Sequence, residues 1–125
     1  LDGQEIVQLR MYSSWQEIWL GFEKNFYPAF RHEINFWLFL SFHFLIFLGP
    51  FLFLLAQKSL AAGIAVLLIL LTRFVLAVRF HHSWFSVVLH PLAEVNLLCL
   101  GIFSWWQYKT GKGVAWKGRV YPSRV

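Results

Sequence analysis

Residues 36–56 read FWLFLSFHFLIFLGPFLFLLA, and this stretch decides the fold. It contains no Asp, Glu, Lys or Arg, and His43 is its single ionisable residue. A helix of about 20 apolar residues crosses the hydrocarbon core of a bilayer. The stretch therefore predicts a membrane helix over residues 36–56. Gly49-Pro50 lies past its middle and predicts a kink, because proline lacks the backbone donor and clashes with the preceding turn.

Two further apolar stretches predict two more membrane segments. One covers residues 59–79 and carries Arg73 near its end, where a long side chain can extend to the lipid headgroups. The other covers residues 84–106, and its ends carry tryptophans that suit an aromatic belt. It also holds polar groups that are costly at mid-bilayer, namely His90, Glu94 and Asn96.

The basic residues leave two topologies open for this third segment. If it spans the bilayer, five of the eleven Lys and Arg residues lie on one side of the membrane and six on the other, without the usual cytoplasmic excess. If it dips in and returns, they divide ten to one. The charge rule favours the re-entrant segment, and the length of the segment favours the span.

The composition is that of an all-α membrane protein. Of 125 residues, 58% are hydrophobic, 20% aromatic and only 14% charged, and the mean hydropathy is +0.57. A soluble domain carries about 25% charged residues. The net charge of +5 lies between and beyond the apolar stretches, which is typical of contacts to anionic headgroups rather than to nucleic acid. Cys99 is the single cysteine, so no internal disulfide forms.

Residues 13–35 predict an amphipathic helix in the plane of the membrane interface. Ser14 and Glu17 form a capping-box pattern. Aromatic residues then recur at helical spacing, and polar residues are expected on the opposite face, at Gln16, Glu17, Glu23, Lys24 and Asn25. The residues predicted to contact the interface are Trp15, Trp19, Phe22, Trp105 and Trp106. The alternative is a helix that faces the core of a soluble domain.

A few polar residues are candidates for chemistry. His81-His82 is an adjacent pair that we interpret as headgroup-level, and His90 and Glu94 share a helix face. No metal-binding set is recognisable. In the basic tail, residues 107–125, Lys117 and Arg119 can bind phosphate, while Trp116 and Tyr121 can stack on a ring or anchor at the headgroups. Its glycines predict a loosened backbone.

Three stretches resemble the membrane-bound C-terminal part of family-2 glycosyltransferases that act on carotenoid and other lipid acceptors. They are Leu9-Arg10-Met11-Tyr12 with Gly21-Phe22-Glu23-Lys24-Asn25, then Leu89-His90-Pro91-Leu92, and finally Gly113 to Tyr121 around Trp116-Lys117-Gly118-Arg119. Arg10 occupies a place comparable to the Arg of the Gln-x-x-Arg-Trp motif in related enzymes. Val7 replaces the Gln and Met11-Tyr12 the Trp.

The resemblance implies transfer of a sugar from a nucleotide-sugar donor to a lipid-type acceptor. Arg10, Trp116, Lys117, Arg119 and Tyr121 would contact substrate or phosphate. A divalent metal, Mg or Mn, and a catalytic carboxylate would belong to a donor-binding domain, of which residues 1–12 form the end. The location would be a bacterial plasma membrane, with the catalytic side cytoplasmic and membrane lipid as a partner.

The chain departs from that family in one respect. Asp2 is its only Asp, so no Asp-x-Asp motif is present. We therefore expect the C-terminal part of a longer enzyme, without activity or a bound metal of its own. The alternative is a small non-enzymatic integral membrane subunit or lipid-binding protein.

Overall fold

The computed structural model describes residues 12–110 in full and residues 114–116 and 119–121 as backbone. Most of the described chain is helical, as predicted. The α-helices are α1 (Trp15–Phe26), α2 (Glu33–His43), α3 (Gly49–Gln57), α4 (Leu60–Arg79), α5 (Phe85–Val88) and α6 (His90–Lys109). A 3-10 turn (Tyr27–Ala29), a π-helical segment (Phe44–Leu48) and two strands, β1 (Val114–Trp116) and β2 (Arg119–Tyr121), complete the described elements.

The predicted capping box begins α1. The Ser14 hydroxyl accepts a hydrogen bond from the Glu17 backbone N–H at 3.2 Å. The Glu17 carboxylate accepts from the backbone N–H of Ser13 at 2.7 Å and from its hydroxyl at 2.8 Å. In the usual capping box the Glu side chain accepts from the backbone N–H of the N-cap residue, which is Ser14 here. Glu17 instead accepts from the N–H of Ser13, one residue earlier, and this bond still satisfies a backbone donor at the start of the helix.

The interface helix ends earlier than predicted. Residues 13–35 were expected to form one helix, but α1 stops at Phe26 and Phe30 has an extended backbone. Pro28 lacks a backbone donor and cannot continue the hydrogen bonds of α1, so the chain tightens into the 3-10 turn. The next helix starts at Glu33, three residues before the predicted start at residue 36.

A hydroxyl from α6 enters the end of α1. The Tyr27 N–H donates to Ser104 Oγ at 3.0 Å, and the Ser104 hydroxyl donates to the Glu23 carbonyl. In an uninterrupted helix Tyr27 would donate directly to Glu23, four residues back. The inserted side chain therefore joins α1 to α6 at the point where α1 ends.

The first apolar helix, Glu33–Gln57, is continuous but irregular at the predicted kink. Gly49 follows the π-helical segment, and its backbone N–H donates to the Phe44 carbonyl, five residues back. Pro50 follows and has no N–H for the preceding turn, which accounts for the change in hydrogen bonding there. Lys58 then adopts a left-handed conformation, with φ of 48°, and ends the helix.

The second apolar helix, α4, packs against α3 as a helical hairpin in which Leu54 contacts Gly63. The first and second apolar helices have mean hydropathies of 2.3 and 2.5. They are the two helices of the described chain that are long and apolar enough to cross a membrane.

The predicted third segment, residues 84–106, is divided at Leu89 into α5 and α6. Pro91 lies in the first turn of α6 and cannot extend the hydrogen bonds of α5. α6 runs antiparallel to the first apolar helix. Five contacts define this register: Lys109 with Glu33, Trp105 with Trp37, Gly101 with Leu40, Glu94 with His43 and His90 with Phe47.

The described part of the tail, residues 114–116 and 119–121, forms two strands. β1 and β2 pair antiparallel, with Val114 opposite Tyr121 and Trp116 opposite Arg119. Valine and aromatic residues favour strands, and Gly118 is a residue type that tight hairpin turns favour. β1 lies against α1.

The core lies where α1, α2 and α6 meet, around Tyr27, Phe36 and Leu40. The Phe36 ring packs edge-on against Tyr27, with ring centroids 4.9 Å apart. Gly101 of α6 faces this core, and a Cβ added there would lie 2.9 Å from Leu40 Cδ2 and 3.0 Å from Phe26 Cε1. The close approach of α6 therefore leaves little room for a side chain at this position, and a Cβ there would displace the ends of Leu40 and Phe26.

Replacement of Gly101 by leucine should force α6 away from the core. Overpacking of this kind costs about 1–3 kcal/mol. We expect Gly101→Leu to lower the midpoint of thermal unfolding of the detergent-purified protein, followed by tryptophan fluorescence. Ile102→Leu, at a neighbouring residue that is half exposed, is the matched control and should leave the midpoint unchanged. Equal midpoints for G101L and the unmodified protein would contradict this packing.

The predicted polar face of α1 is wrong at Glu23. This residue is 2% exposed and faces α6, whereas Trp15 and Phe22 of the predicted apolar face are exposed. Burial raises the pKa of the Glu23 carboxyl, and hydrogen bonds with Gln107 and Trp19 oppose part of that change. The charge is tolerated because α6 supplies polar partners.

Glu23 should make stability fall as the pH rises. A carboxyl with a raised pKa in the folded state contributes fully below its ordinary pKa of 4.5, and the contribution is lost as the pH rises through the folded pKa. We expect Glu23→Gln, which keeps the hydrogen bonds without the charge, to unfold at a higher temperature than the unmodified protein at pH 7.5. The difference should shrink at pH 4. A difference that does not change with pH would contradict a buried, titrating carboxyl.

Candidate functional site

Glu94 lies between two histidines from different helices. Its Oε2 is 3.1 Å from Nδ1 of His43, and its Oε1 is 3.8 Å from Nδ1 of His90, one turn earlier on α6. Glu94 is 8% exposed and His90 3%. The carboxylate therefore links α6 to the end of α2, out of contact with solvent. We call His43, His90 and Glu94 the Glu94 cluster.

Two side-chain nitrogens of the described residues are buried without a hydrogen-bond partner. They are Nε2 of His90 and Nε of Arg73. Arg73 comes from α4 and is half-buried, with its Nε enclosed by protein. Buried polar atoms without a partner are costly, so each of them requires an explanation.

Aromatic rings enclose the two histidines. The His43 ring lies 4.3 Å from Phe39 and 5.3 Å from Phe47, and the His90 ring lies 5.9 Å from Phe47, between centroids. Phe47 belongs to the π-helical segment, and such segments are frequent at functional sites. The Glu94 cluster is thus a small polar site within an apolar wall.

A second polar contact lies at the other end of α6. The Glu33 carboxylate accepts hydrogen bonds from Lys109 Nζ and from Trp105 Nε1, each at 2.8 Å. The hydrogen bond to Glu33 raises the pKa of Lys109, so the lysine stays charged. The contact is exposed, and it places the end of α6 beside the start of the first apolar helix.

The predicted substrate-binding residues are only partly within the described chain. Arg10 and Lys117 lie outside the described residues. For Trp116, Arg119 and Tyr121 the backbone is described, and it places them on the two strands of the hairpin. Because β1 lies against α1, the hairpin is on the α1 side of the molecule.

The predicted interface residues divide into two groups. Trp15, Phe22 and Trp106 are exposed, as a headgroup contact requires. Trp19 packs edge-on against Phe103 at 6.4 Å, and Trp105 packs against Trp37 at 5.3 Å. These two rings contribute to the contact between helices.

The sequence pointed to the His90–Glu94 pair but missed the shorter contact from Glu94 to His43. One signal was present, because His43 is the single ionisable residue in residues 36–56 and would require a polar partner in an apolar surrounding. The other histidine pair, His81 and His82, is exposed in the turn after α4. Within residues 12–110, no three His, Cys, Asp or Glu side chains are arranged to hold a metal ion.

Two shallow apolar grooves lie beside α6. One, of about 350 Å³, is lined by Cys99, Ile102, Phe103 and Trp106. The other, of about 330 Å³, lies between α6 and the first apolar helix. It is lined by Trp37, Leu40, Ser41, Phe44, Leu45, Leu98 and Ile102. The two grooves share Ile102 and are apolar enough for a hydrocarbon chain.

Comparison with known proteins gives no relative for this chain. No protein-family model, no curated protein and no solved structure matches it. The resemblance to family-2 glycosyltransferases therefore stays a prediction that rests on the three stretches quoted above.

Proposed function

We propose that this chain is the membrane-embedded part of a glycosyltransferase that moves a sugar from a nucleotide-sugar donor to a lipid-type acceptor. The three stretches around Arg10, His90-Pro91 and Trp116-Lys117-Gly118-Arg119 support the reaction type. Two long apolar helices and the apolar grooves beside α6 support the lipid-type acceptor.

The surface of the apolar helices supports insertion in a bilayer. Only 11% of the most apolar window of the first apolar helix is buried inside the protein, and 17% of that of α4. A core helix of a water-soluble protein would be mostly buried, whereas here leucine and phenylalanine side chains face outward along both helices. Exposed apolar surface of this extent requires lipid or a partner protein to cover it.

The proposed membrane topology is based on the contact between Lys109 and Glu33. If the first apolar helix crosses the bilayer, Glu33 and Lys58 lie on opposite sides. Lys109 contacts Glu33, so α6 leaves on the side where the first apolar helix begins. We take the third segment as re-entrant, which places ten of the eleven Lys and Arg residues on one side. By the charge rule that side is cytoplasmic.

This topology brings the candidate substrate-binding residues to one side. The hairpin strands that carry Trp116 and Arg119 then share the cytoplasmic face with α1, and we propose that Arg10 acts on the same side. Arginine and lysine there can bind the diphosphate of a nucleotide sugar. The resemblance would assign a divalent metal and the catalytic carboxylate to the donor-binding part of the enzyme.

Sidedness can be measured by cysteine labelling. In a Cys99→Ser background, Lys58→Cys should react with a membrane-impermeant maleimide in intact cells, because the proposal puts it outside. Lys109→Cys should react only after permeabilisation, like the matched control Arg79→Cys on the cytoplasmic side. Labelling of K109C from outside, at the rate of K58C, would mean that the third segment spans the bilayer.

Sugar transfer by the full-length protein tests the reaction. Loss of a hydrogen bond to a charged group costs about 1.5–3 kcal/mol, which corresponds to a decrease of about 10- to 100-fold in rate. We expect Arg10→Ala and Arg119→Ala to lower transfer by that factor at unchanged expression. Arg124→Ala, in the same tail but outside the motif, should keep full activity. Unchanged turnover in both variants would remove their assigned roles.

The second candidate is a non-enzymatic membrane subunit or lipid-binding protein, which the apolar grooves beside α6 favour. The gene separates the two candidates. An upstream reading frame of about 200 codons with an Asp-x-Asp motif supports the transferase, at the usual domain size. A start codon adjacent to Leu1 supports the subunit.

A further inference from the structure

The turn between α4 and α5 presents basic and aromatic residues side by side on the surface. All of its residues are exposed, and they read Arg79-Phe80-His81-His82-Ser83-Trp84-Phe85. We call residues 79–85 the Arg79 turn. Aromatic rings and cations that alternate in this way are typical of segments at the level of lipid headgroups, where rings enter the interface and cations meet phosphate.

The positive charge of the Arg79 turn has no acidic counterpart. No Asp or Glu occurs in the sequence between Glu33 and Glu94. Glu33 is paired with Lys109, and Glu94 contacts the two histidines of the Glu94 cluster. Among the residues that the structure describes, the basic side chains of the turn take part in no ion pair. The turn is therefore complementary to an anion from its surroundings.

The backbone at the end of α4 gives the turn a defined shape. The His82 N–H donates to the Ala77 carbonyl and the Phe80 N–H to the Leu76 carbonyl, each at 2.9 Å. His81, between the two donors, has a left-handed backbone with φ of 53°. This is the arrangement that commonly ends helices, usually with glycine at the left-handed position. It holds the basic residues of the turn together at one end of α4.

The length of α4 determines the depth of the turn. The 20 residues of α4 extend about 30 Å, which matches the hydrocarbon core of a bilayer. Trp84 packs against Phe74, near the end of α4, with ring centroids 5.2 Å apart. With α4 across the bilayer, Arg79 lies at the boundary between hydrocarbon and headgroups, and Trp84 lies in the aromatic belt. This position is the same whether the third segment spans or re-enters.

We propose that the Arg79 turn binds the phosphate group of an anionic phospholipid. The Arg79 guanidinium pairs with the phosphate, and the imidazole N–H groups of His81 and His82 can donate to its oxygens. Phe80 and Phe85 contact the adjoining glycerol and acyl chains. A zwitterionic headgroup carries the same phosphate, but its ammonium group would be repelled by Arg79. The site rests on the membrane placement of α4 proposed above and not on sugar transfer.

Fluorescence quenching measures which lipid lies beside the turn. The full chain with Cys99→Ser and Ser83→Cys is labelled with bimane at position 83 and placed in phosphatidylcholine nanodiscs. A fixed fraction of the lipid is replaced by phosphatidylglycerol or phosphatidylcholine with brominated chains, which quench only a nearby label. We expect phosphatidylglycerol to associate at this position about fivefold more strongly than phosphatidylcholine, the factor that one basic residue near a membrane surface provides.

Charge changes at the two ends of α4 assign the preference to the turn. Arg79→Gln should make the two lipids nearly equal, whereas Arg79→Lys, which keeps the charge, should retain most of the preference. Lys58→Gln is the matched control, because it removes the same charge from an exposed residue at the opposite end of α4. It should keep the fivefold preference at the label. Circular dichroism verifies that each variant is folded.

Four results would overturn the proposal. They are equal association of the two lipids with the unmodified turn, a preference that survives R79Q, an equal loss in K58Q, and no quenching by either lipid. An equal loss in K58Q would mean that the preference follows the net charge of the chain. No quenching would mean that the turn does not reach the bilayer. None of these measurements includes a sugar donor, so an R10A variant without transfer would leave the lipid preference unchanged.

Discussion

Two carboxylates hold α6 along the first apolar helix, one near each end, and the rest of the arrangement depends on them. At the exposed end, the Glu33 carboxylate accepts hydrogen bonds from Trp105 and Lys109. At the buried end, the Glu94 carboxylate contacts the His43 ring. Between these points the contact is a close apolar packing around Gly101 and Leu40. Since apolar contacts have little directional preference, it is the polar pairs that determine the register of the two helices.

The parts of the fold that depend on local sequence could be predicted. The apolar stretch over residues 36–56, the second one ending at Arg79, and the Ser14 cap all follow from a few neighbouring residues. Glu23 could not be placed, because its burial depends on residues of α6 that lie some 80 positions away in the chain. His43 and Glu94 are likewise 51 residues apart, so only the folded chain identifies their contact.

The candidate sites divide in the same way. The tail motif around Trp116-Lys117-Gly118-Arg119 can be recognised in the sequence because its residues are contiguous. The Glu94 cluster has members on two separate helices, and each of them alone looks like an isolated polar residue in an apolar stretch. Its geometry depends on the contacts of Glu94 with two histidines, which only the folded chain shows. One site is therefore argued from motif and the other from geometry.

The Ser104 hydroxyl has a consequence for biosynthesis. It completes the final turn of α1, yet it is translated 77 residues after Tyr27, the donor that it satisfies. While the nascent chain still lacks α6, Tyr27 and Glu23 can close on each other as in any helix, and the later hydroxyl must open that bond to enter. The end of α1 thus reaches its mature geometry only once the ribosome has delivered α6, which couples the folding of α1 to the synthesis of α6.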